Sequence, residues 1–373
     1  MGTKHVDGRI LTPDGWQSGR LIFDAHIRAI EPSDDAGDER HVLPGFIDLH
    51  VHGGSGADCM AGEEATREMA RFHAAHGTTS LLATTVTAPK DELRQALRGI
   101  AAVVANPLPG EAQVLGVHLE GPFLNRQALG AQPPFALRPD LDLVDELCGL
   151  APVNVATIAP EIDPDHALLR RFISHGVRVQ LGHSAGSYAD AVAALNAGAA
   201  GFTHLFNAMG GFHHRRPGLV GAALGHAEYA EIIPDLVHVD AAVLRAALRA
   251  VPGLYAVTDA VAACGMPVGE YRLGRHRIVT DGRIARLYDG TLAGSVLTMD
   301  QALRNLLQLG LRLEQAAFRL ATCAADYLGL EDRGRIAPGA RADLVVVDSK
   351  GRLLEVYVGG EAIDITAGAV DAV

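Results

Sequence analysis

The middle of this 373-residue chain alternates apolar, β-rich runs with helical stretches, and this alternation limits the possible folds more than any other feature. The predicted strands lie at residues 43–52, 79–86, 114–120, 153–159, 177–182, 201–204, 231–239 and 254–259. The predicted helices lie at residues 63–76, 91–105, 163–175, 188–197, 241–250 and 298–309. Eight strands in β/α alternation predict an α/β protein with a (β/α)₈ TIM-type barrel. A doubly wound parallel sheet is the alternative, but such sheets rarely carry polar residues at the ends of so many strands.

Both ends of the chain show a different pattern, in which short alternating runs are separated by Asp-Gly, Ser-Gly and similar turn signals. Such spacing is typical of β-hairpins. We therefore expect a small β-sandwich domain formed by residues 1–42 and 336–373, with the barrel formed by residues 43–335. Two further Asp-Gly turns predict a β-hairpin inserted into the barrel near residues 270–291.

The composition restricts the partners and the compartment. A formal net charge of −12 disfavours a nucleic acid or an anionic membrane as the main partner. The four cysteines are far apart and form no Cys-x-x-Cys pair, so neither a zinc ribbon nor a dense disulfide framework is predicted. No run of residues resembles a signal peptide or a membrane span. We expect a soluble, cytoplasmic protein.

Side chains that can bind a metal stand at the C-terminal ends of several predicted strands. They are His50, His52, Glu120, His183, His204 and Asp259. Because the C-terminal ends of barrel strands form one face, these side chains are expected to converge there. A set of imidazoles and carboxylates favours zinc or iron over calcium or magnesium. The sequence therefore predicts a divalent metal site.

Each of these residues also has an ordinary structural interpretation. His183 can cap the helix that follows it, Asp259 can be a helix N-cap, and Glu120 can pair with an arginine. All of them falling on one barrel face by chance is improbable, so the metal site is the favoured interpretation.

These residues, in this order, resemble the amidohydrolase superfamily, and the segments around them narrow the resemblance to the N-acetylglucosamine-6-phosphate deacetylases. The resemblance extends over nearly the whole chain. The motifs that carry it are PGFID (44–48), HLEGPF (118–123), GHS (182–184), THLFNAM (203–209), VHV (237–239), TDA (258–260) and GTLAGS (290–295). The pattern RGRIAPG (333–339) followed by ADLV (342–345) is shared by the wider superfamily.

The resemblance implies that Asp259 is the catalytic acid/base and that each chain binds one or two divalent metals, zinc or iron. The implied ligands are Glu120, His183 and His204 for the first ion and, for a second ion that some members hold, His50 and His52.

The resemblance also implies the substrate contacts. His238 matches a histidine that contacts the substrate, and Arg215 matches an arginine that reaches the phosphate from the neighbouring subunit of a homodimer. The remaining implied positions are Asn207 and Ala208 at the phosphate and Ala131, Gln132, Leu292, Ala293 and Gly294 around the sugar.

One position departs from the family pattern. Gln132 stands where the family usually has a histidine that holds the acetyl carbonyl. Glutamine can donate a neutral hydrogen bond but cannot carry charge. We therefore expect a related amino-sugar phosphate as substrate, or a raised Michaelis constant for the glucosamine form.

We expect a metal-dependent hydrolase that removes the acetyl group from an N-acetylhexosamine 6-phosphate and releases acetate. N-acetyl-D-glucosamine 6-phosphate is the expected substrate, and N-acetylgalactosamine 6-phosphate is the alternative. Two other classes stay open: a different amidohydrolase, such as a cyclic amidase, and a catalytically silent sugar-phosphate-binding protein. Many cyclic amidases bridge two metals with a carbamylated lysine, but Lys90, the only lysine of the expected barrel, begins a predicted helix. The intact Asp259 argues against a silent protein.

Overall fold

Both ends of the chain contribute to one seven-stranded sheet, called the terminal sheet below, so the described residues form a single sheet there and not the expected β-sandwich. The computed structural model describes residues 2–32 and 39–366. In spatial order the strands are Glu361–Ala362, Leu353–Val358, Leu344–Val347, His41–Pro44, Lys4–Thr12, Gly15–Phe23 and Ile27–Glu31. Ile10, Leu21 and Phe23 form part of its own small core and are fully buried. Position 1 and the parts of the expected small domain at 33–38 and 367–373 lie outside the described residues.

A second sheet contains six parallel strands and curls into what we call the half-barrel. In spatial order its strands are Phe46–Val51, Thr78–Thr85, Gln113–Glu120, Val153–Ile158, Arg178–Leu181 and Gly201–Phe202. A parallel pair, Tyr229–Ile232 with Gly253–Ala256, continues the chain order. Backbone hydrogen bonds connect this pair to both edges of the half-barrel: Leu205 donates to Glu231 O at 2.9 Å, and Asp259 donates to His50 O at 2.8 Å.

The helices follow the strands and cover the outside of the half-barrel. They are Glu63–Ala75, Lys90–Ala105, Leu141–Leu150, Ala167–Ser174, Tyr188–Asn196, Gly218–His226, Ala241–Ala250, Met299–Gln308, Leu313–Ala317 and Cys323–Leu328, the last two joined by a π-helical turn at Phe318–Thr322. A single large apolar core lies between these helices and the parallel strands. No helix among the described residues is both long and apolar enough to cross a membrane.

Three of these helical regions are absent from the sequence prediction, for physical reasons. Gly218–His226 is rich in glycine and alanine, and its apolar residues are not concentrated on one face of the helix. The helical region from Leu313 to Leu328 is interrupted by the π-helical turn, which shifts the helical period. Leu141–Leu150 follows a proline-rich loop and begins at the N-cap Asp140, a signal that the prediction overlooked.

The predicted strand at 43–52 is wrong as one element. Its first two residues belong to the strand His41–Pro44 of the terminal sheet, and its second part, Phe46–Val51, is the first strand of the half-barrel. Gly45 stands between them, and a Cβ atom there would lie 2.3 Å from Thr79 Oγ1, so only glycine fits this crossing point. The predicted strands at 231–239 and 254–259 also end earlier, at Ile232 and Ala256.

A three-stranded antiparallel element lies within the segment expected to form an insertion. Its strands are Gly269–Leu273, His276–Thr280 and Ala285–Arg286. Its buried side chains, including Leu273 and Ile278, form a separate apolar cluster with Val86 and Val261 from the half-barrel side. This cluster fixes the hairpin beside the C-terminal ends of the parallel strands.

Candidate metal centre and cleft

Three predicted ligands meet at the C-terminal edge of the half-barrel. Glu120 ends its strand, whereas His183 and His204 each stand two residues after theirs. The Nε2 atoms of both histidines lie 3.0 Å from Glu120 Oε1 and 3.0 Å from each other. All three side chains are buried. This arrangement is suited to a metal ion.

His50, His52 and Asp259 form a second group that lies next to the first. The Nε2 atoms of the two histidines are 3.2 Å apart, and Asp259 Oδ1 lies 3.1 Å from His52 Nε2. Glu120 Oε2 lies 3.3 Å from His52 Nε2, while its other oxygen faces the first group. The Glu120 carboxylate therefore stands between the two groups, where it can be a ligand to two ions.

Backbone carbonyl oxygens accept from the other nitrogen of two of these rings. His52 Nδ1 lies 2.9 Å from Thr84 O, and His183 Nδ1 lies 3.0 Å from Ala128 O. Because a carbonyl oxygen only accepts, each of these Nδ1 atoms carries the ring proton. In the neutral ring the Nε2 atom then presents a lone pair to the centre of the site.

The donor set fits a divalent metal. Nitrogen lone pairs that face each other and a carboxylate at 3.0–3.3 Å repel unless a cation lies between them. Two nitrogens bound tetrahedrally to zinc at 2.0–2.1 Å would be about 3.3 Å apart. The observed separations therefore match metal coordination better than a network of neutral histidines.

Backbone strain coincides with the site. His183, His204 and Asp259 have φ angles of 48°, 28° and 50°, in the left-handed region that side chains other than glycine rarely adopt. Such conformations persist where the surrounding structure enforces them, and they cluster at functional sites. In each case the strain turns a side chain towards the cleft immediately after a strand ends.

The charges in the site are strongly coupled. Burial alone would raise the pKa of Asp259, but the neighbouring His50 and His52 lower this pKa to about 2. Burial alone would lower the pKa of His52, but the Asp259 and Glu120 carboxylates raise it to about 9, so a proton on Nε2 would take the place that a metal ion otherwise fills. The carboxylates therefore favour a cation at this position.

A cleft of about 240 Å³ opens above the two groups. Most of the residues expected to contact the substrate line it: Ala131, Gln132, Asn207, Ala208, His238, Leu292 and Gly294. His238 Nδ1 donates to Asp235 Oδ2 at 2.6 Å. The Nε2 atom of His238 remains available for a ligand in the cleft.

Two expected contact residues do not line the cleft of this single chain. Ala293 is fully buried in the hairpin cluster, where it packs between its cleft-lining neighbours. Arg215 is exposed on the loop before the helix Gly218–His226. The structure contains one chain, so the expected role of Arg215 in a neighbouring subunit stays a prediction.

Gln132 is held by the protein in a way that the sequence does not indicate. Its Oε1 atom accepts from the Thr87 backbone N–H at 2.7 Å. The Thr87 hydroxyl oxygen lies 3.0 Å from the same atom and donates its proton to Pro133 O at 2.6 Å. Its Nε2 atom donates to Glu120 Oε2 at 2.5 Å. The side chain thus orients a candidate metal ligand, and only one amide N–H remains for a substrate acetyl group.

Sequence reasoning missed Glu231 and Leu273. Glu231 is fully buried in the strand Tyr229–Ile232, and its carboxylate lies 2.8 Å from His50 Nδ1. A glutamate inside an otherwise apolar strand run is the signal that could have indicated it. Leu273 lines the cleft from the hairpin, and nothing in its local sequence distinguishes it from a core leucine.

Lys90 lies away from the candidate metal centre. Its ammonium group pairs with Asp140 Oδ2 at 2.8 Å on the surface, at the start of the helix Lys90–Ala105. It is therefore not placed to bridge two metals as a carbamylated lysine does, which argues further against a cyclic amidase of that type.

The half-barrel, the terminal sheet and the histidine–carboxylate centre define a metal-dependent hydrolase of the amidohydrolase class. The sequence matches the amidohydrolase family over residues 41–363, and the chain belongs to this family. It is accordingly a hydrolase that acts on an amide bond.

Within this family the chain is similar to amino-sugar phosphate deacetylases. It is 38% identical to the N-acetylglucosamine-6-phosphate deacetylase of Rattus norvegicus, over 95% of this chain and 90% of that protein. It is 37% identical to the N-acetylgalactosamine-6-phosphate deacetylase of Escherichia coli O157:H7, over 95% of this chain and 97% of that protein. The crystal structure of the Mycobacterium smegmatis N-acetyl-D-glucosamine-6-phosphate deacetylase is 33% identical and superposes with a TM-score of 0.89, over 98% of this chain and all of that one.

Proposed function

We propose that this protein hydrolyses the acetamide of an N-acetylhexosamine 6-phosphate, with N-acetyl-D-glucosamine 6-phosphate as the substrate, and releases acetate. The observation that carries the proposal is the convergence of Glu120, His183 and His204 with His50, His52 and Asp259 at the base of one cleft. The similarity to deacetylases over nearly the full chain supports the same substrate class.

The expected chemistry divides between a metal and the side chains of the chain. A divalent metal held by Glu120, His183 and His204 would supply the positive charge that polarises an acetyl carbonyl and acidifies water. Asp259 can accept a proton from the attacking water and return it to the departing amine, because one carboxylate can serve both steps in turn. Hydrolysis then breaks the amide C–N bond and yields acetate and the amino sugar phosphate.

The sugar epimer is the finer part of the proposal. Relatives named for the glucosamine and the galactosamine substrates are nearly equally similar to this chain, at 38% and 37% identity. The N-acetylgalactosamine 6-phosphate is therefore the second candidate. Since both hydrogen-bonding ends of Gln132 already contact the protein, Gln132 does not favour either epimer.

We propose zinc as the metal, with iron as the alternative, and a second ion at His50 and His52. We propose a homodimer in which Arg215 binds the phosphate of the neighbouring active site, where its planar donors suit a phosphate dianion.

We propose that the half-barrel and the strand pair together form an eight-stranded (β/α)₈ barrel, supported by the hydrogen bonds that connect them at both edges. The terminal sheet would form the separate small domain, with its boundary moved to include the strand His41–Pro44. A cytoplasmic location is proposed with support from four free cysteines, since disulfides are rare in that compartment.

The test is acetate release from a panel of three compounds by the zinc-loaded protein. The panel contains N-acetylglucosamine 6-phosphate, N-acetylgalactosamine 6-phosphate and N-acetylglucosamine without phosphate. We expect the highest kcat/KM for the first compound and little activity on the third. Binding of the sugar phosphates without acetate release would instead identify a silent binding protein.

The matched control is the His183→Ala variant, which removes a metal ligand at the edge of the sheet. This variant should lose acetate release with all three compounds while its circular dichroism spectrum stays unchanged. Full activity of this variant would contradict the proposed role of the metal centre.

A further inference from the structure

Glu231 lies directly behind the candidate metal centre. It belongs to the strand Tyr229–Ile232 and is fully buried, so its carboxylate has no access to water. Its Oε2 atom lies 2.8 Å from His50 Nδ1, on the side of the ring that faces away from the cleft. Because burying an unpaired charge is costly, a carboxylate at this position must be stabilised by hydrogen bonds from its neighbours.

The contact determines which nitrogen of His50 carries the proton. A carboxylate only accepts hydrogen bonds, so His50 Nδ1 must donate to Glu231. The Nε2 lone pair of the neutral ring then points at His52 Nε2, 3.2 Å away, and at Asp259 Oδ1, 3.5 Å away. This is the tautomer that a metal ligand requires, and outer carboxylates commonly fix it.

The same carboxylate oxygen also connects the two ligand groups. Glu231 Oε2 accepts from the backbone N–H of His204 at 3.1 Å. His204 belongs to the first group, whereas His50 belongs to the second. The other oxygen, Oε1, receives a longer contact of 3.4 Å from the Tyr255 hydroxyl. Glu231 therefore holds the His50 ring in register with the backbone that carries His204.

A separate metal site formed by His50, His118 and Glu231 is the competing interpretation, since their ligand atoms also lie close together. The His118 contacts argue against it. His118 Nδ1 donates to Leu49 O at 3.1 Å, and its Nε2 lies 2.7 Å from Thr157 Oγ1. Both ring nitrogens are engaged within the protein, so His118 packs beneath the site and is not a ligand.

We propose that Glu231 is a positioning residue that builds the second metal site by fixing the Nδ1–H tautomer and the orientation of His50. The proposal rests on the metal centre of the proposed function and adds that the second site needs Glu231 in addition to its ligands. The Glu231→Gln variant keeps the shape of the side chain but removes the charge, and its amide can also turn an N–H towards His50.

The experiment is a zinc titration of metal-free protein, followed by isothermal calorimetry and by metal analysis of the loaded protein. In the wild-type chain we expect two zinc ions. In Glu231→Gln we expect the dissociation constant of the second ion to rise about 10–100-fold, with that of the first changed much less. Tyr255→Phe is the matched control, because it removes the longer contact to Glu231 and leaves the His50 contact in place.

The outcomes separate this inference from the proposed function. Equal second-site affinity in Glu231→Gln and wild type would overturn the role of Glu231, and so would wild-type binding of only one zinc. Equal weakening of both sites would indicate a merely structural role and overturn it as well. If Glu231→Gln does not fold, Glu231→Asp, which keeps the charge on a shorter side chain, should show the same selective loss. A wild-type chain that binds no zinc would instead contradict the proposed function.

Discussion

The proton positions on the histidines decide the chemistry of this site. Thr84 O, Ala128 O and Glu231 each accept from the Nδ1 atom of a different ring, so three Nε2 lone pairs point inwards. Asp259 lies at the edge of this group, next to the cleft. This position suits the proton-carrying role proposed for Asp259, because Asp259 borders both the candidate metal ligands and the cleft.

Replacing Asp259 by Asn keeps the shape of the side chain but removes the proton acceptor. We expect turnover to fall at least about a hundredfold, since general acid/base catalysis typically contributes that much or more. Zinc should remain bound, because Glu120, His183 and His204 are unchanged. Asp281→Asn, in an exposed turn of the hairpin, should behave like wild type. Near-normal turnover of the Asp259 variant, measured by acetate release, would refute the assignment.

A second prediction concerns the side chain of Gln132. Gln132→Ala removes the hydrogen bond to Glu120 Oε2, so we expect zinc affinity to weaken about 10–100-fold and kcat to fall with it. The control is Gln127→Ala, an exposed glutamine on the same loop. An increase in KM alone, with zinc affinity unchanged, would show that Gln132 acts on the substrate and does not position Glu120.

The sequence indicated the candidate metal ligands because each stands at or just after the end of a strand, and these ends share one face. It did not indicate what holds the ligands in place. Glu231 lies within an apolar run without any motif, and the contacts of Gln132 depend on a loop that approaches Thr87 only in the folded chain. Outer contacts of this kind join residues far apart in sequence, which a local pattern cannot reveal.

Among the secondary-structure elements, the hairpin contributes to the wall of the cleft but carries none of the candidate metal ligands. Asp58 Oδ2 accepts from the Gly274 N–H at 2.7 Å and fixes the hairpin tip, next to Leu273 in the cleft wall. Most helix and strand positions could be predicted from periodicity, because buried faces repeat regularly. The break at Gly45 could not be predicted, because both halves of the run 43–52 are apolar. Only the folded structure shows that the two halves join different sheets.

We predict that releasing the hairpin tip affects binding more than chemistry. In Asp58→Ala the tip loses its anchor, and KM for the sugar phosphate should rise several-fold while zinc content stays the same. Asp281→Ala, at the opposite end of the hairpin, serves as the control. The check is steady-state kinetics with metal analysis. An unchanged KM would mean that the hairpin cluster alone holds Leu273 in place.

At the scale of the whole molecule, the proposed dimer explains why an expected phosphate ligand lies outside the cleft. Arg215 is exposed on a loop with Phe212, whose side chain is 58% exposed. Aromatic residues and arginine are enriched in the cores of protein interfaces, so this pair is compatible with a contact between subunits. In a dimer, each active site would combine an arginine from one chain with an acid/base from the other.

This arrangement predicts complementation between two inactive variants. Mixing Arg215→Ala chains with Asp259→Asn chains should produce some sites in which both residues are intact. Acetate release should then rise above that of either variant alone. Mixed dimers verified by mass spectrometry that show no recovery would contradict a shared active site.

Acetate release from N-acetylglucosamine 6-phosphate during a zinc titration of metal-free protein tests directly whether this centre is a metal-dependent deacetylase. We expect no activity without zinc, a rise in activity as zinc fills the centre, and a plateau once the two expected ions per chain are bound. The His183→Ala variant should stay inactive throughout the titration. Full acetate release from protein without metal, or saturation with zinc and no acetate release, would contradict the claim that this centre is a metal-dependent deacetylase.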